Sequence, residues 1–155
     1  MSASVDFGDD GFELLTLDGA HANERNVTRR PLAPGIQSVE SRRGASSHQH
    51  NPFLALARPG AGEAHGEVYG MNLVYSGNFL AFAEAGQFHT ARAAIGLNPF
   101  DFSWLLRPGE SFQCPETVLA YSGGGLGGLS RTFHRLYRER LCRGRFRDAP
   151  RPVLV

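Results

Sequence analysis

Glu67-Val68-Tyr69-Gly70-Met71-Asn72-Leu73-Val74-Tyr75, followed after Ser76 and Gly77 by Asn78-Phe79-Leu80-Ala81-Phe82-Ala83, decides the fold class of this 155-residue chain. Tyr69, Met71, Leu73 and Tyr75 recur with period two, so they share one face of an extended strand. A strand with one large apolar face is half buried, as in an antiparallel sheet packed on a core.

Working outward, Val, Tyr, Phe and Leu cluster in further short runs bounded by Gly, Pro and Asn. The expected strands are Phe12 to Leu17, Gln37 to Ser41, Phe53 to Ala57, Glu67 to Tyr75, Asn78 to Ala83, Ala91 to Leu97, Phe102 to Leu106 and Thr117 to Tyr121. Arg58-Pro59-Gly60, Glu84-Ala85-Gly86 and Arg107-Pro108-Gly109 supply the restricted or positive φ values that reversals need. Two such sheets packed face to face make a mostly β, antiparallel β-sandwich. After Ser122 the period changes. Leu129, Phe133, Leu136 and Tyr137 have helical spacing with arginines on the opposite face, which predicts one amphipathic helix from about Leu129 to Cys142, stopped by Gly144. Pro152 to Val155 reads as the start of another strand.

Composition narrows the function classes. The net charge is only +1, and no apolar run approaches the roughly 18 residues needed to span a bilayer. The N-terminal MSASVDFGDD carries acids where a signal peptide is basic and then apolar, so a cytoplasmic protein is expected. Cys114 and Cys142 are too few for a disulfide framework and read as thiols. All basic residues are arginine, eight of them between Arg131 and Arg151. Few aromatics interleave with them, and Arg131, Arg135 and Arg138 lie opposite the apolar stripe, so a solvated or inter-domain face is expected and nucleic-acid binding is not.

The motifs that could carry chemistry have plainer readings. Gly123, Gly125 and Gly128 fit G-x-G-x-x-G between a strand and a helix, but no acid ends a second apolar strand at the required distance. A flexible entry into the helix is the expectation. His48-Gln49-His50 would put both rings on one side if extended, yet no third ligand is specified, and no metal or cofactor is expected. Neither Ser76 nor Ser122 sits in a nucleophile elbow, and Asp101 reads as a local cap in a turn.

The stretch Glu40-Ser41-Arg42-Arg43-Gly44-Ala45-Ser46-Ser47-His48-Gln49-His50-Asn51-Pro52-Phe53 resembles a segment of the alpha-galactosidases of glycoside hydrolase family thirty-six. The resemblance continues through Gly66 to Gly70, Leu73 to Ala81, Gly96 to Phe102, Pro115-Glu116 and Ser130 to Arg138. It implies the later part of an N-terminal β-supersandwich, a sandwich fragment whose helix leads toward a (β/α)8 barrel that is not in this chain. The implied division is a partial sandwich over 1–122, a helical linker over 123–150 and the start of the barrel over 151–155. The family's nucleophile and acid/base are two barrel aspartates of a retaining mechanism, so no catalytic residue carries over, and this chain alone is expected to be inactive. The implied partners are the barrel, a galactoside reached only through it, and further subunits, since family members often form homotetramers. One departure falls at Gly19-Ala20-His21-Ala22-Asn23-Glu24-Arg25, where the family usually has a tryptophan in place of His21.

The polar loop from Arg42 to Phe53 is too elaborate for a simple hairpin connection. Arg42, Arg43, His48, His50 and Asn51 are therefore the candidate contacts with the barrel or a neighbouring subunit. The alternative function is a stand-alone carbohydrate-binding or subunit-interaction module. A cut sandwich would leave edge strands and an apolar face bare, so poor solubility of the isolated chain is expected.

Overall fold

The structure, a computed structural model, describes residues 2–150. Among the described residues nine strands form two antiparallel sheets. They are β1 (Ala3–Phe7), β2 (Glu13–Ala20), β3 (Asn23–Pro31), β4 (Gly35–Glu40), β5 (His50–Ala57), β6 (Val68–Leu73), β7 (Phe79–Ala85), β8 (Ala91–Leu97) and β9 (Thr117–Ser122). One sheet has the order β1-β8-β7-β4 and the other β3-β2-β5-β6-β9. Helix α1 (Gly125–Leu136) follows, then a short π-helical turn, Tyr137–Leu141. The expected sandwich and single helix are both present, with the helix starting one turn earlier than its apolar stripe. The strand expected from Pro152 lies outside the described residues.

Three expectations are corrected. Phe102 to Leu106 form no strand: Pro99 and the positive φ of Asp101 break the run at one end, and no neighbouring strand pairs with it. Tyr75 falls beyond β6 and is exposed, while Met71 and Leu73 are buried and Tyr69 half-buried. Conversely, β1 and β3 had no expected counterpart. Both are edge strands, and β3 is almost wholly exposed and polar, so it carries no apolar alternation to reveal it.

Between the sheets Leu14, Leu54, Leu56, Met71, Phe79, Ala81, Ala83, Ala93 and Ile95 form the main core. Leu14, Leu54, Leu56 and Met71 come from the five-stranded sheet, and β7 and β8 meet them with Phe79 and Ile95 at one end and small alanines between. The other face of the five-stranded sheet is also buried, which is why β5 reads Leu54-Ala55-Leu56-Ala57 without a polar position. Leu54 and Leu56 point into the sandwich, whereas Ala55 and Ala57 lie beneath α1 with Leu129 and Phe133. The register sets Ala55 beside Gly70 and Gly70 beside Ala120, a row of small residues that lets the helix approach. A Cβ on Gly70 would stand 2.8 Å from the Phe133 ring and 2.9 Å from Leu129.

The glycine-rich entry of α1 serves the same close packing. The N–H groups of Gly125, Leu126 and Gly127 donate to the carbonyls of Gly66, Gly62 and Glu63, each at 2.9 Å. Gly125 has φ of 71°, and a Cβ there would fall 2.2 Å from the Gly62 carbonyl oxygen. The donors that would cradle a phosphate are thus spent on the loop between β5 and β6, and close approach, rather than flexibility, explains these glycines.

At the other end of β5, His50 Nδ1 lies 2.8 Å from Asp18 Oδ1, and the Thr16 hydroxyl donates to Asp18 Oδ2 at 2.9 Å. Partial burial pushes the Asp18 carboxyl up, but hydrogen bonds from Thr28, His50 and Thr16 outweigh it and hold the group below its ordinary value. Its stabilising contribution is therefore complete above the unfolded carboxylate pKa of about 3.9 and is lost as pH falls through the lowered folded value.

Two outcomes are expected. Gly70→Val, by forcing Leu129 and Phe133 off the sheet, lowers unfolding free energy by about 1–3 kcal/mol, read as a lower denaturant midpoint. Asp18→Asn flattens the loss of stability on acidification, so its urea midpoint differs less between about pH 5 and pH 3 than that of the parent.

Candidate functional site

The antiparallel registers gather four connections at one end of the sandwich: the β2–β3 tip, the loop from 41 to 49, residues 74–78 and the long connection 98–116. Asn98 is the bolt. It is 3% exposed, and its amide nitrogen donates to Glu40 Oε2 at 2.8 Å and to the carbonyls of Ser41 and Phe79 at 3.2 Å. Its Oδ1 accepts the Phe100 N–H at 2.9 Å. One buried amide thus ties the end of β4 to the start of β7 and the root of the long connection.

The polar loop is built onto this anchor. Ser41, buried, donates its hydroxyl to the Ala45 carbonyl at 2.6 Å, and the Gly44 N–H donates to Asn78 Oδ1 at 2.7 Å. Arg42 bonds Glu40 Oε1 at 2.9 Å and lies over the Phe100 ring, 4.7 Å from its centroid. Half-burial raises the Glu40 carboxyl, yet the Asn98 amide and the Arg42 guanidinium more than reverse this and leave it below the ordinary value. Arg43 donates to Gln49 Oε1 at 2.6 Å. His48 is exposed and faces His21 at the hairpin tip, with ring centroids 6.4 Å apart, whereas His50 turns to Asp18. The two rings of His48-Gln49-His50 therefore serve different partners. Asn51 Oδ1 is a buried acceptor at the rim of an apolar groove beside α1.

Arg42 and Arg43 retain exposed guanidinium groups held in position, Arg42 with half of its side chain accessible. Such groups are suited to accept carboxylates from a docking surface. Several acids of the sandwich are engaged with arginines: Asp6 with Arg92, Asp9 and Glu67 with Arg58, and Glu13 with Arg29. Ion-paired surface carboxylates do not provide the two opposed groups that glycosidic cleavage requires. Among the described residues no cluster of three or more His, Cys, Asp or Glu could hold a metal ion, and no helix is long and apolar enough to cross a membrane.

Sequence reasoning missed Asn98 and Phe100 as parts of this surface. An Asn-Pro pair signals a turn, and nothing in its spacing reveals that the amide reaches residues 57 and 58 positions earlier.

Residues 1–107 match the glycosyl hydrolase family 36 N-terminal domain, and residues 111–155 match the family described as Melibiase. Alpha-galactosidase AgaA of Geobacillus stearothermophilus is 59% identical over all 155 residues, which are 21% of its own length. A crystal structure of an AgaA variant in complex with raffinose superposes with a TM-score of 0.94 at 59% identity, covering 97% of this chain and 21% of that one. The alpha-galactosidase of Lactobacillus brevis gives 0.93 at 45% identity, covering 98% and 20%. The chain spans about a fifth of the length of the relatives it matches, and their catalytic residues fall outside the matched region. On a whole-chain match to an enzyme 59% identical and on residues 1–107, the chain belongs to glycosyl hydrolase family 36.

Proposed function

We propose that this chain is the sandwich part of an alpha-galactosidase that hydrolyses terminal α-galactosyl residues of melibiose- or raffinose-like sugars. The observation that carries the reading is the 59% identity to AgaA along the whole chain, joined to superposition on AgaA solved with raffinose. Catalysis belongs to the two aspartates of a (β/α)8 barrel, and the galactoside is reached only through that barrel. The sandwich contributes a rigid support, divided as a sandwich over 1–122, a helical linker over 123–150 and the beginning of the barrel over 151–155. A homotetrameric, cytoplasmic enzyme is part of the same proposal; an exposed Cys114 outside any disulfide supports a reducing compartment.

Within this reading the loop bearing Arg42, Arg43, His48, His50 and Asn51 is a contact with the barrel or a neighbouring subunit. Its support is the preorganisation seen above: a guanidinium held by Glu40 and Phe100 loses less freedom on meeting a carboxylate than a mobile one.

The deciding experiment replaces the matched segment of AgaA by these 155 residues and assays a chromogenic α-galactoside. The hybrid is expected to hydrolyse it and the isolated chain is not; a folded hybrid without activity overturns the reading. Arg42→Ala with Arg43→Ala in the hybrid is expected to shift its mass in light scattering toward smaller species or to reduce activity by about tenfold, the effect of losing some 1.4 kcal/mol of contact. Unchanged mass and activity would remove the loop from the interface.

A further inference from the structure

The connection from β8 to β9 is an arm with an apolar surface that nothing in the described residues covers. Phe100, Phe102, Trp104, Leu105 and Leu106 are 51%, 45%, 62%, 75% and 53% exposed, and Asp101 is the one charge among residues 99–106. The arm is shaped rather than loose. Asn98 bolts its root, Arg42 lies over Phe100, and the Phe112 ring sits 5.0 Å from Trp104 and 6.0 Å from Phe102, bringing the returning limb against the outgoing one. A turn closes it where the Glu110 N–H donates to the Arg107 carbonyl at 3.0 Å. An ordered run of large apolar groups in water is the signature of a surface meant for a partner.

The path of the chain identifies that partner. Helix α1 starts at the far end of the sandwich, where Gly125 bonds Gly66, and returns along the sheet. Its exit, residues 139–144 and Arg147, lines a cleft together with Glu116 and Val118, which are the foot of the arm and the start of β9. The polypeptide therefore leaves the sandwich beside the arm. The family boundary falls in the same place, with the N-terminal domain match ending at residue 107 and the Melibiase match beginning at 111, on either side of the arm's turn.

We propose that the apolar face of the arm, Phe102, Trp104, Leu105 and Leu106, docks on the remainder of the Melibiase region of the same polypeptide and fixes the orientation of the two. The inference rests on the alpha-galactosidase reading for the existence of that remainder, which the longer relatives carry. It assigns the orienting contact to the arm, distinct from the charged loop beside it. Its occupant offers an apolar patch with few charges, because the arm has almost none to pair with.

The test uses the AgaA hybrid described above. Chymotrypsin, which cuts after Phe, Trp and Leu, is expected to spare the arm in the folded hybrid. Trp104→Ser with Leu105→Ser is expected to open the arm to cleavage and to speed thermal inactivation at least about tenfold at unchanged oligomeric mass. Phe88→Ser, 80% exposed at the opposite end of the sandwich, is expected to change neither. Rapid cleavage of the parent arm, or equal effects from Phe88→Ser, overturns the proposal. Dissociation of the double variant into smaller units with the arm's subunit otherwise equally stable assigns the arm to a second copy and also overturns it. A hybrid with a protected arm and no galactoside hydrolysis sinks the activity reading while leaving the docking contact standing.

Discussion

The closeness of α1 to the five-stranded sheet is the constraint on which the remaining architecture depends. Leu129 and Phe133 reach down to a glycine and its flanking alanines, so no side chain of the sheet holds the helix off at that point. That contact gives the five-stranded sheet a second buried face. It also explains the glycines at the helix entry, where a chain turning so tightly against the loop at residues 62–66 has no room for side chains. A motif that looks like a phosphate cradle is thus the seam of a packing interface, with its donors consumed by carbonyls.

The sequence made the sandwich and its core strands legible because buried strands leave a period-two or all-apolar signature, as in β5 to β8. Edge strands leave no such mark. Residues Asn23 to Pro31 contain four charges and alternate in nothing, yet pair along their length with β2, because backbone hydrogen bonds need no side-chain pattern. The reverse error arose at Phe102 to Leu106, where strand-forming side chains occur without a neighbouring strand. Residue preference describes what an extended segment tolerates; only a partner makes it a ladder.

The candidate surface was legible in part. The length and polarity of residues 42–53 marked it as more than a connection, and Arg42 and Arg43 do emerge at the surface. What remained hidden was the wiring. Asn98 and Phe100 lie more than fifty residues from Glu40, Ser41 and Arg42, which they steady, and a single chain contains no record of which distant amide meets which carbonyl. The histidines show the same limit: two positions apart and alike in chemistry, His48 and His50 part company because His50 begins β5 and pairs across to Asp18, while His48 stays in the loop.

The pairing of β9 with β6 carries a consequence for how this protein is made on the ribosome. Residues 111–155 belong to one family region and residues 1–107 to another, yet β9 and α1 complete the sandwich of the first. At a synthesis rate of roughly 5–20 residues per second, several seconds pass between the emergence of β6 and the arrival of the strand and helix that close it. Throughout that interval the nascent chain shows an open strand edge and a bare patch around Gly70. Completion of the sandwich thus waits on translation of the Melibiase region, and the vulnerable window for misassociation runs from the emergence of β6 to that of α1.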